Sequence, residues 1–473
     1  MEGFGTSLNT WHADVAAAYR RDEFADFYLN TLGASALRIN LWSGVLTVEK
    51  ERWQEISWQD FRLDGDGAQG GITVDVVRRL HAASNGRLRI IASVWSPPAW
   101  MKVNGSITNG YPGRKSMGMN FGSAIERGSW DKPASDDRDG ERYRYIGRNK
   151  LRPDRYSHFA KYLVEWVRYF RSLGIALHAI SIANEPRFSH WFDSCVYAPG
   201  EYARLFDTVV QMFAGEGEAG VRFFGPETMA WDESGNREYL AELARHPRAL
   251  GALETLAAHG YVDGYNSDLR QISVATLGTL AKTYRKKSWI TEGGFGGHEW
   301  PAPLHQAATA FLLALRDGNV SLLTSWQTLT RKADEHGLMD LQGPTKKTYA
   351  AMQFWRFIRP GMARIGVVVD GALDAVAFDD AIGGITVCIM INRGDHAVPI
   401  KLDLRGRALL EIEAAFVTDR SRNLMRLDDW RTGSHLALPR ESIVTVVLRT
   451  AATILGFRTR SGRYTAGRMA ATG

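Results

Sequence analysis

Short apolar runs alternate with amphipathic helical segments over the first 350 residues of this 473-residue chain. Eight of these runs have strand character, and the segment 156–173 repeats its apolar side chains at helical spacing. Strands that alternate with helices in this way favour a parallel sheet. The sequence therefore predicts an α/β fold, a (β/α)8 TIM barrel, with strands near 3–8, 36–42, 88–95, 178–183, 222–227, 253–261, 289–292 and 322–327.

From about residue 365 the apolar pattern changes to a period of two. Its short runs are separated by Gly, Asp and Arg turns, which is typical of an antiparallel β-sandwich. We therefore expect a catalytic barrel over 1–350 and a β-sandwich side domain over 351–473, which ends in a basic C-terminal tail. The Gly-, Asn-, Arg- and Asp-rich segment 104–155 predicts a long loop on the face of the barrel that carries the site.

The composition narrows the class of protein. The net charge is +6, but no basic stripe accompanies a nucleic-acid-binding motif, so we expect no nucleic-acid partner. No apolar run is long enough to span a bilayer. The two cysteines, Cys195 and Cys388, fall in different predicted domains and form no disulfide framework. With 15 Trp and 16 Tyr, the chain has the aromatic side chains that stack on sugar rings.

Metal and cofactor signals are weak in this sequence. The 12 His lack the paired helical spacing of metalloproteases, and no glycine string matches a phosphate-binding fingerprint, so we expect no metal and no cofactor. The first predicted strand begins at residue 3, with no signal peptide before it. We expect either a cytoplasmic protein or a secreted or periplasmic one whose export signal has been removed. The oligomeric state is open.

Two glutamates end predicted strands. Glu185 follows the fourth and Glu292 the seventh, 107 residues later. Two carboxylates on one face of such a barrel suit retaining glycoside hydrolysis, which places them about 5–5.5 Å apart. We predict that Glu185 is the acid/base, with a raised pKa, and that Glu292 is the nucleophile, held ionised. Asn184 beside the acid can offer its amide to the 2-hydroxyl of a sugar.

Further candidates for substrate binding follow other strands. Arg38 and Tyr261 can hydrogen-bond the nucleophile, and Trp326 can form the floor of the glycone site. Arg331 can bind a carboxylated sugar. Glu227 ends the fifth strand and competes with Glu185 for the acid role, but no asparagine precedes it. The remaining candidates are Trp95, Trp100, Asn104 and His259.

Several strings together resemble glycoside hydrolase family 30: 3–5, 95–102, 181–186, 193–199, 289–292 and 357–361. The resemblance covers nearly the whole chain and implies a barrel with a β-sandwich side domain, Glu185 as acid/base and Glu292 as nucleophile. Strings 3–8 and 325–327 are similar to the β-1,6-galactanase branch, so we expect a β-1,6-galactan or a related β-1,6-linked polysaccharide as substrate. Two features depart from the family: the sandwich strand that usually precedes the barrel is absent, and the loop 111–155 is long.

Other functions stay open at this point. The string 96–102 is closer to the glucanase and xylanase branches, and Arg331 lies near where glucuronoxylanases hold the arginine that reads glucuronate. A glucuronoxylan-type endo-xylanase, or a β-glucosidase or glucosylceramidase of the same family, is therefore an alternative. From other classes, the alternatives are a non-catalytic carbohydrate-binding protein and a metal-dependent hydrolase that uses His259 and Glu227.

Overall fold

The computed structural model describes residues 1–114, 116–118, 141–230, 233–261, 267–369, 371, 373–380, 382–404, 409–432, 436–450, 457–458 and 464–465. The middle of the predicted loop 111–155 and most of the basic tail lie outside these residues.

Eight parallel strands close into a barrel, which confirms the predicted fold. Each strand pairs with its sequence neighbours, and β1 pairs with β8 to complete the ring. Helices cover the outside of such a barrel, which is why the strands are apolar on both faces. The strands are β1 (Gly3–Ser7), β2 (Ala36–Asn40), β3 (Arg89–Ser93), β4 (Leu177–Ser181), β5 (Phe223–Met229), β6 (Leu253–His259), β7 (Lys287–Glu292) and β8 (Val320–Ser325).

The inside of the barrel changes from apolar to polar along its axis. Ala36 of β2 and Ala257 of β6 belong to one small buried apolar cluster. Side chains two residues apart on a strand point to the same face. Arg38 and His259 therefore point inward one layer closer to the carboxyl ends of these strands. This layer positions the site.

Helices of the described chain connect and surround the strands. No helix in these residues is long and apolar enough to cross a membrane. The predicted amphipathic helix 156–173 is confirmed as α5, whose apolar stripe is buried against the barrel. The α-helices are α1 (Ala13–Tyr19), α2 (Asp22–Asp26), α3 (Ala68–Ala83), α4 (Glu141–Arg148), α5 (Tyr156–Ser172), α6 (Pro199–Gly215), α7 (Glu233–Ala244), α8 (Pro247–Ala252), α9 (Ser267–Thr283), α10 (Thr309–Arg316) and α11 (Lys346–Trp355).

The second part of the chain forms the predicted antiparallel side domain. A six-stranded sheet, in the order β9-β10-β11-β16-β13-β14, shares an apolar core with the small β12-β15 sheet. The strands are β9 (Ala363–Ile365), β10 (Asp374–Asp380), β11 (Ile385–Asn392), β12 (Val398–Ile400), β13 (Leu409–Thr418), β14 (Met425–Arg426), β15 (Leu436–Leu438) and β16 (Ser442–Thr450).

Helix α11 connects the barrel to this side domain. Its Gln353 donates to Thr418 Oγ1 at 2.9 Å and accepts from Thr445 Oγ1, both on the sheet. Its Lys347 instead donates to carbonyls of loops on the barrel. The predicted domain boundary at residue 350 thus falls inside a helix that contacts both parts.

Candidate active site

A cavity of about 770 Å³ opens at the carboxyl ends of the barrel strands. This is the face on which barrels of this kind carry their sites. The described residues that line it are Trp11, Trp42, Gln69, Trp95, Asn184, Glu185, Phe188, His190, Trp191, Phe192, Asp193, Met229, Tyr261, Glu292, Trp326, Glu335 and His336.

Glu185 follows β4 in a left-handed backbone conformation, with φ of 44°. Its carboxylate is buried and held at both oxygens. His190 Nε2 lies 2.6 Å from Oε2, and His259 Nδ1 lies 3.0 Å from Oε1. The tight turn after the strand, which continues into Pro186, therefore aims the carboxylate into the barrel mouth between two imidazoles.

Glu292 ends β7 and faces Glu185 across the cavity floor. Arg38 Nη1 donates to its Oε2 at 2.8 Å, as predicted from the sequence. One carboxylate oxygen of Glu185 and one of Glu292 lie within 4.8 Å of each other. Retaining glycosidases need a carboxyl separation of about 5–5.5 Å, so the pair has the spacing of that mechanism.

Arg38 is the central cation of the site and is only 1% exposed. Its guanidinium donates to Glu292, to Glu227 Oε1 at 3.1 Å and to Asn184 Oδ1 at 2.6 Å. Ser7 and Ser93 accept further hydrogen bonds from it. A planar guanidinium can bind this many acceptors at fixed angles, so it sets the positions of the surrounding side chains.

Glu227, the competitor for the acid role, lies beneath the cavity and does not line it. It is fully buried and pairs with Arg38. Burial would raise the pKa of Glu227, but the charge of Arg38 and contact with His259 lower it to about 2. A carboxylate held ionised below the floor supports Arg38 rather than reaching a substrate.

The pKa order of the two facing glutamates differs from the sequence-based expectation. Burial would raise the pKa of Glu185, but hydrogen bonds from His190 and His259 lower it below its usual range. Burial raises the pKa of Glu292, because the opposing charges of His259 and Arg38 do not fully compensate. These two directions are opposite to those that the sequence predicted, namely a raised pKa for Glu185 and an ionised Glu292.

His259 and Tyr261 both reach the pair, as the sequence suggested. Burial alone would lower the pKa of His259, but Glu292 and Glu185 raise it to about 9. Burial and the charge of Glu292 raise the pKa of Tyr261 well above its ordinary value. His259 is therefore a cation and Tyr261 a neutral hydroxyl at pH 7.

Tryptophans form one wall of the cavity. Trp95 and Trp326 stack with ring centroids 5.3 Å apart, and Trp11 packs against both. Trp42 packs edge-on against Trp95. These rings follow β8, β1, β2 and β3, which are consecutive around the barrel, so they make one continuous apolar surface beside the carboxylates.

Five predicted binding residues do not line this cavity: Arg38 and His259 contact the carboxylates at its floor, and Trp100, Asn104 and Arg331 lie elsewhere. Trp100 donates its indole N–H to Leu46 O and packs against His158. Asn104 bonds Thr108 O at 2.8 Å and so closes its own turn. Arg331 pairs with Asp14 at 2.8 Å beside a separate cavity of about 330 Å³. Trp100, Asn104 and Arg331 each bind a partner outside the cavity instead of a sugar.

No protein-family model matches the chain. It is 22% identical to a glucuronoxylanase of Bacillus subtilis (strain 168), over 95% of this chain and 89% of the relative. An endo-1,6-β-D-glucanase of Aspergillus fumigatus is 28% identical over 22% of this chain and 16% of its own. The structure of a family 30 subfamily 8 xylanase from Clostridium acetobutylicum superposes with a TM-score of 0.67 and 18% identity, over 95% of this chain and 96% of the other.

In sequence and fold the chain resembles proteins of glycoside hydrolase family 30. This confirms the resemblance that the sequence strings carried. The relatives named above are glycan-hydrolysing enzymes, which agrees with the glycosidase that the sequence predicts.

The sequence analysis did not identify several residues that line this cavity. His190 is the most important of them, because it contacts Glu185 directly. The signal was available, since His190 lies five residues after Glu185 in the same loop. Most of the others lie in irregular segments that carry no periodicity, whereas Gln69 belongs to α3 and Met229 ends β5. The other missed residues are Trp11, Trp42, Phe188, Trp191, Phe192, Asp193, Glu335 and His336.

One group of described side chains in the candidate site has the geometry to hold a metal ion: Glu185, His259 and Glu292. A histidine must be neutral to ligate a metal. The raised pKa of His259, about 9, keeps its imidazole protonated at pH 7. Arg38 already supplies a second positive charge to Glu292. This charge arrangement favours a proton-transfer site over a cation site.

Proposed function

We propose that this protein is a retaining β-glycoside hydrolase in which Glu185 is the acid/base and Glu292 the nucleophile. The observation that carries the proposal is the pair of carboxylates within 4.8 Å of each other on the floor of one large cavity. Glu292 attacks the anomeric carbon while Glu185 protonates the departing oxygen, and water attacks the covalent intermediate in the second step.

Each partner of the pair supports one of these roles. Arg38 and His259 place positive charge beside Glu292 and favour its ionised form in attack. His190 Nε2 lies 2.6 Å from Glu185 Oε2 and so holds this carboxyl in place. Glu185 acts as the acid when it carries the proton. The proton moves toward the leaving oxygen as that oxygen gains negative charge.

The cavity lining supports a neutral glycan as substrate. Among the described lining residues, none is a lysine or an arginine, while several are tryptophans. Aromatic faces bind the C–H surfaces of sugar rings, whereas a uronate needs a cation. We therefore propose a β-1,6-linked galactan or a related β-1,6-linked polysaccharide. The likeness to an endo-1,6-β-D-glucanase over 102 residues agrees with this linkage.

The second candidate substrate is glucuronoxylan. It is favoured by the likeness to a glucuronoxylanase over 463 residues. It requires a free cation for the glucuronate, and Arg331 is paired with Asp14 on the far side of Trp11. Glucuronoxylan binding would therefore have to break that ion pair.

The test is hydrolysis of β-1,6-galactan, β-1,6-glucan, glucuronoxylan and aryl β-glycosides by the native protein and by Glu185→Gln and Glu292→Gln. Glu233→Gln, on the surface of α7, is the matched control. We expect Glu292→Gln to be inactive on every substrate. Glu185→Gln should lose more activity on glycans than on dinitrophenyl glycosides, because that leaving group needs no proton.

Three outcomes would contradict the proposal. Full activity of Glu292→Gln would exclude the assigned nucleophile. Activity abolished by a chelator and restored by a divalent metal would favour the metal-dependent alternative. Binding of one glycan without cleavage of any would favour a carbohydrate-binding protein.

A further inference from the structure

Two aromatic side chains on the rim of the cavity are unusually exposed. Trp191 is 44% exposed and Phe192 is 38% exposed, although both line the cavity. The stacked wall ring Trp95, by contrast, is only 6% exposed. Large apolar side chains exposed next to a site mark a surface that binds something.

These two rings are held in place by their neighbours. Phe192 stacks on His190 with centroids 4.3 Å apart and planes 11° apart, and His190 stacks on Phe188. Trp191 packs edge-on against Phe192 at 5.4 Å. The guanidinium of Arg114 lies over the Trp191 ring, 5.6 Å from its centroid. A surface ordered in this way loses little conformational entropy when a ligand binds.

The position of the two rings relative to the acid fixes which part of a substrate they meet. His190, the ring on which Phe192 stacks, hydrogen-bonds Glu185. Trp191 and Phe192 belong to the loop that follows Glu185, whereas the four-tryptophan wall follows β8, β1, β2 and β3. The acid must lie beside the glycosidic oxygen and hence beside the leaving group. The two rim rings are thus on the leaving-group side of the acid.

We propose that Trp191 and Phe192 form a binding platform for the first sugar of the leaving group. This inference rests on the proposed role of Glu185. The ligand is an uncharged pyranose ring of an oligosaccharide, whose C–H face stacks on the indole. Binding there orients the glycosidic oxygen toward Glu185, so the protein prefers internal bonds of a chain to small aglycones.

The test compares two substrates that share a glycone and differ in leaving group. These are the tetrasaccharide of the glycan cleaved and the dinitrophenyl glycoside of the same sugar. Trp191→Ala should lower kcat/KM on the tetrasaccharide by about tenfold or more, with less than about threefold change on the aryl glycoside. Trp191→Phe should restore most of the activity. Trp11→Ala, an equally exposed tryptophan of the opposite wall, should lower both activities.

Equal effects of Trp191→Ala on the two substrates, or no effect on either, would overturn the platform while leaving the proposed catalytic pair intact. If the native protein cleaves neither substrate, the catalytic proposal fails. In that case, calorimetric titration of galacto-, gluco- and xylotetraose tests, without any cleavage, whether the platform binds sugar. Binding that weakens about tenfold in Trp191→Ala supports it, and binding that is absent or insensitive to Trp191→Ala overturns it.

Discussion

Replacing Arg38 by methionine removes the one guanidinium that joins Glu292 to Glu227. The two carboxylates would remain buried, 4% and 0% exposed, without the guanidinium that pairs with both, and His259 would be left as the positive charge between them. Removing one partner of a buried ion pair typically costs about 3–5 kcal/mol, because an uncompensated charge is left behind. We expect Arg38→Met to lower the free energy of unfolding by about this amount at pH 7.

The stability lost in Arg38→Met should depend on pH, and the lowered pKa of Glu227 gives the direction of that dependence. The pKa of Glu227 is lowered to about 2 in the folded protein, chiefly by the charge of Arg38 acting against burial. A lowered carboxyl pKa stabilises the fold above the unfolded value, near 4.5, and that contribution disappears as the pH falls through 2. The difference between native and Arg38→Met should therefore shrink from pH 5 toward pH 2.

Urea denaturation followed by tryptophan fluorescence at pH 7, 5 and 3 measures this difference. Arg331→Met is the matched control, because Arg331 forms an ion pair with Asp14 that is exposed at both ends. Exposed pairs contribute little, so the control should be indistinguishable from the native protein. Equal destabilisation of the two variants, or a loss in Arg38→Met that does not change with pH, would refute the reasoning.

Other predictions test the histidines and a buried lysine. Loss of the hydrogen bond in His190→Ala should raise the pKa of Glu185 and move the alkaline limb of kcat/KM, on which the acid loses its proton, upward by about one to two pH units; an unmoved limb would argue against Glu185 as an acid held by His190. The pKa of His259 is raised from 6.5 to about 9 in the folded protein. Protonated His259 therefore contributes its full free energy of stabilisation below pH 6.5, and this contribution is lost as the pH rises to 9. The difference in unfolding free energy between native and His259→Gln should thus fall by roughly 3 kcal/mol over that range in urea titrations. Lys347→Met removes the ammonium that donates to three loop carbonyls and should cost about 2 kcal/mol or more, while the exposed Lys332→Met should cost nothing measurable.

The sequence by itself determined the two architectures of this protein. Apolar periodicity distinguishes strands from helices, and the alternation of the two along 1–350 is compatible with few folds other than a parallel barrel. The change to a period of two likewise predicted the sandwich. Parallel strands of a barrel end on the same face. The sequence alone therefore also predicted that four site residues lie near one another: Glu185, Glu292, Arg38 and Trp326.

Only the tertiary structure decided which polar groups reach the cavity. Glu227 ends a strand as Glu292 does, yet it lies below the floor and pairs with Arg38. Arg331 follows the last strand but pairs with Asp14, a residue 317 positions away in the chain. Partners so distant in sequence leave no local pattern. Only the folded chain therefore shows whether a charged side chain is already paired or can reach a substrate.

The electrostatics of the pair also belong to the tertiary structure. His190 lies in a loop without periodicity, and only the fold shows that its imidazole is 2.6 Å from Glu185. A pKa depends on burial and on every charge within a few ångströms. The sequence could therefore name the two catalytic candidates, Glu185 and Glu292, but only their three-dimensional surroundings set the direction in which the pKa of each carboxyl shifts.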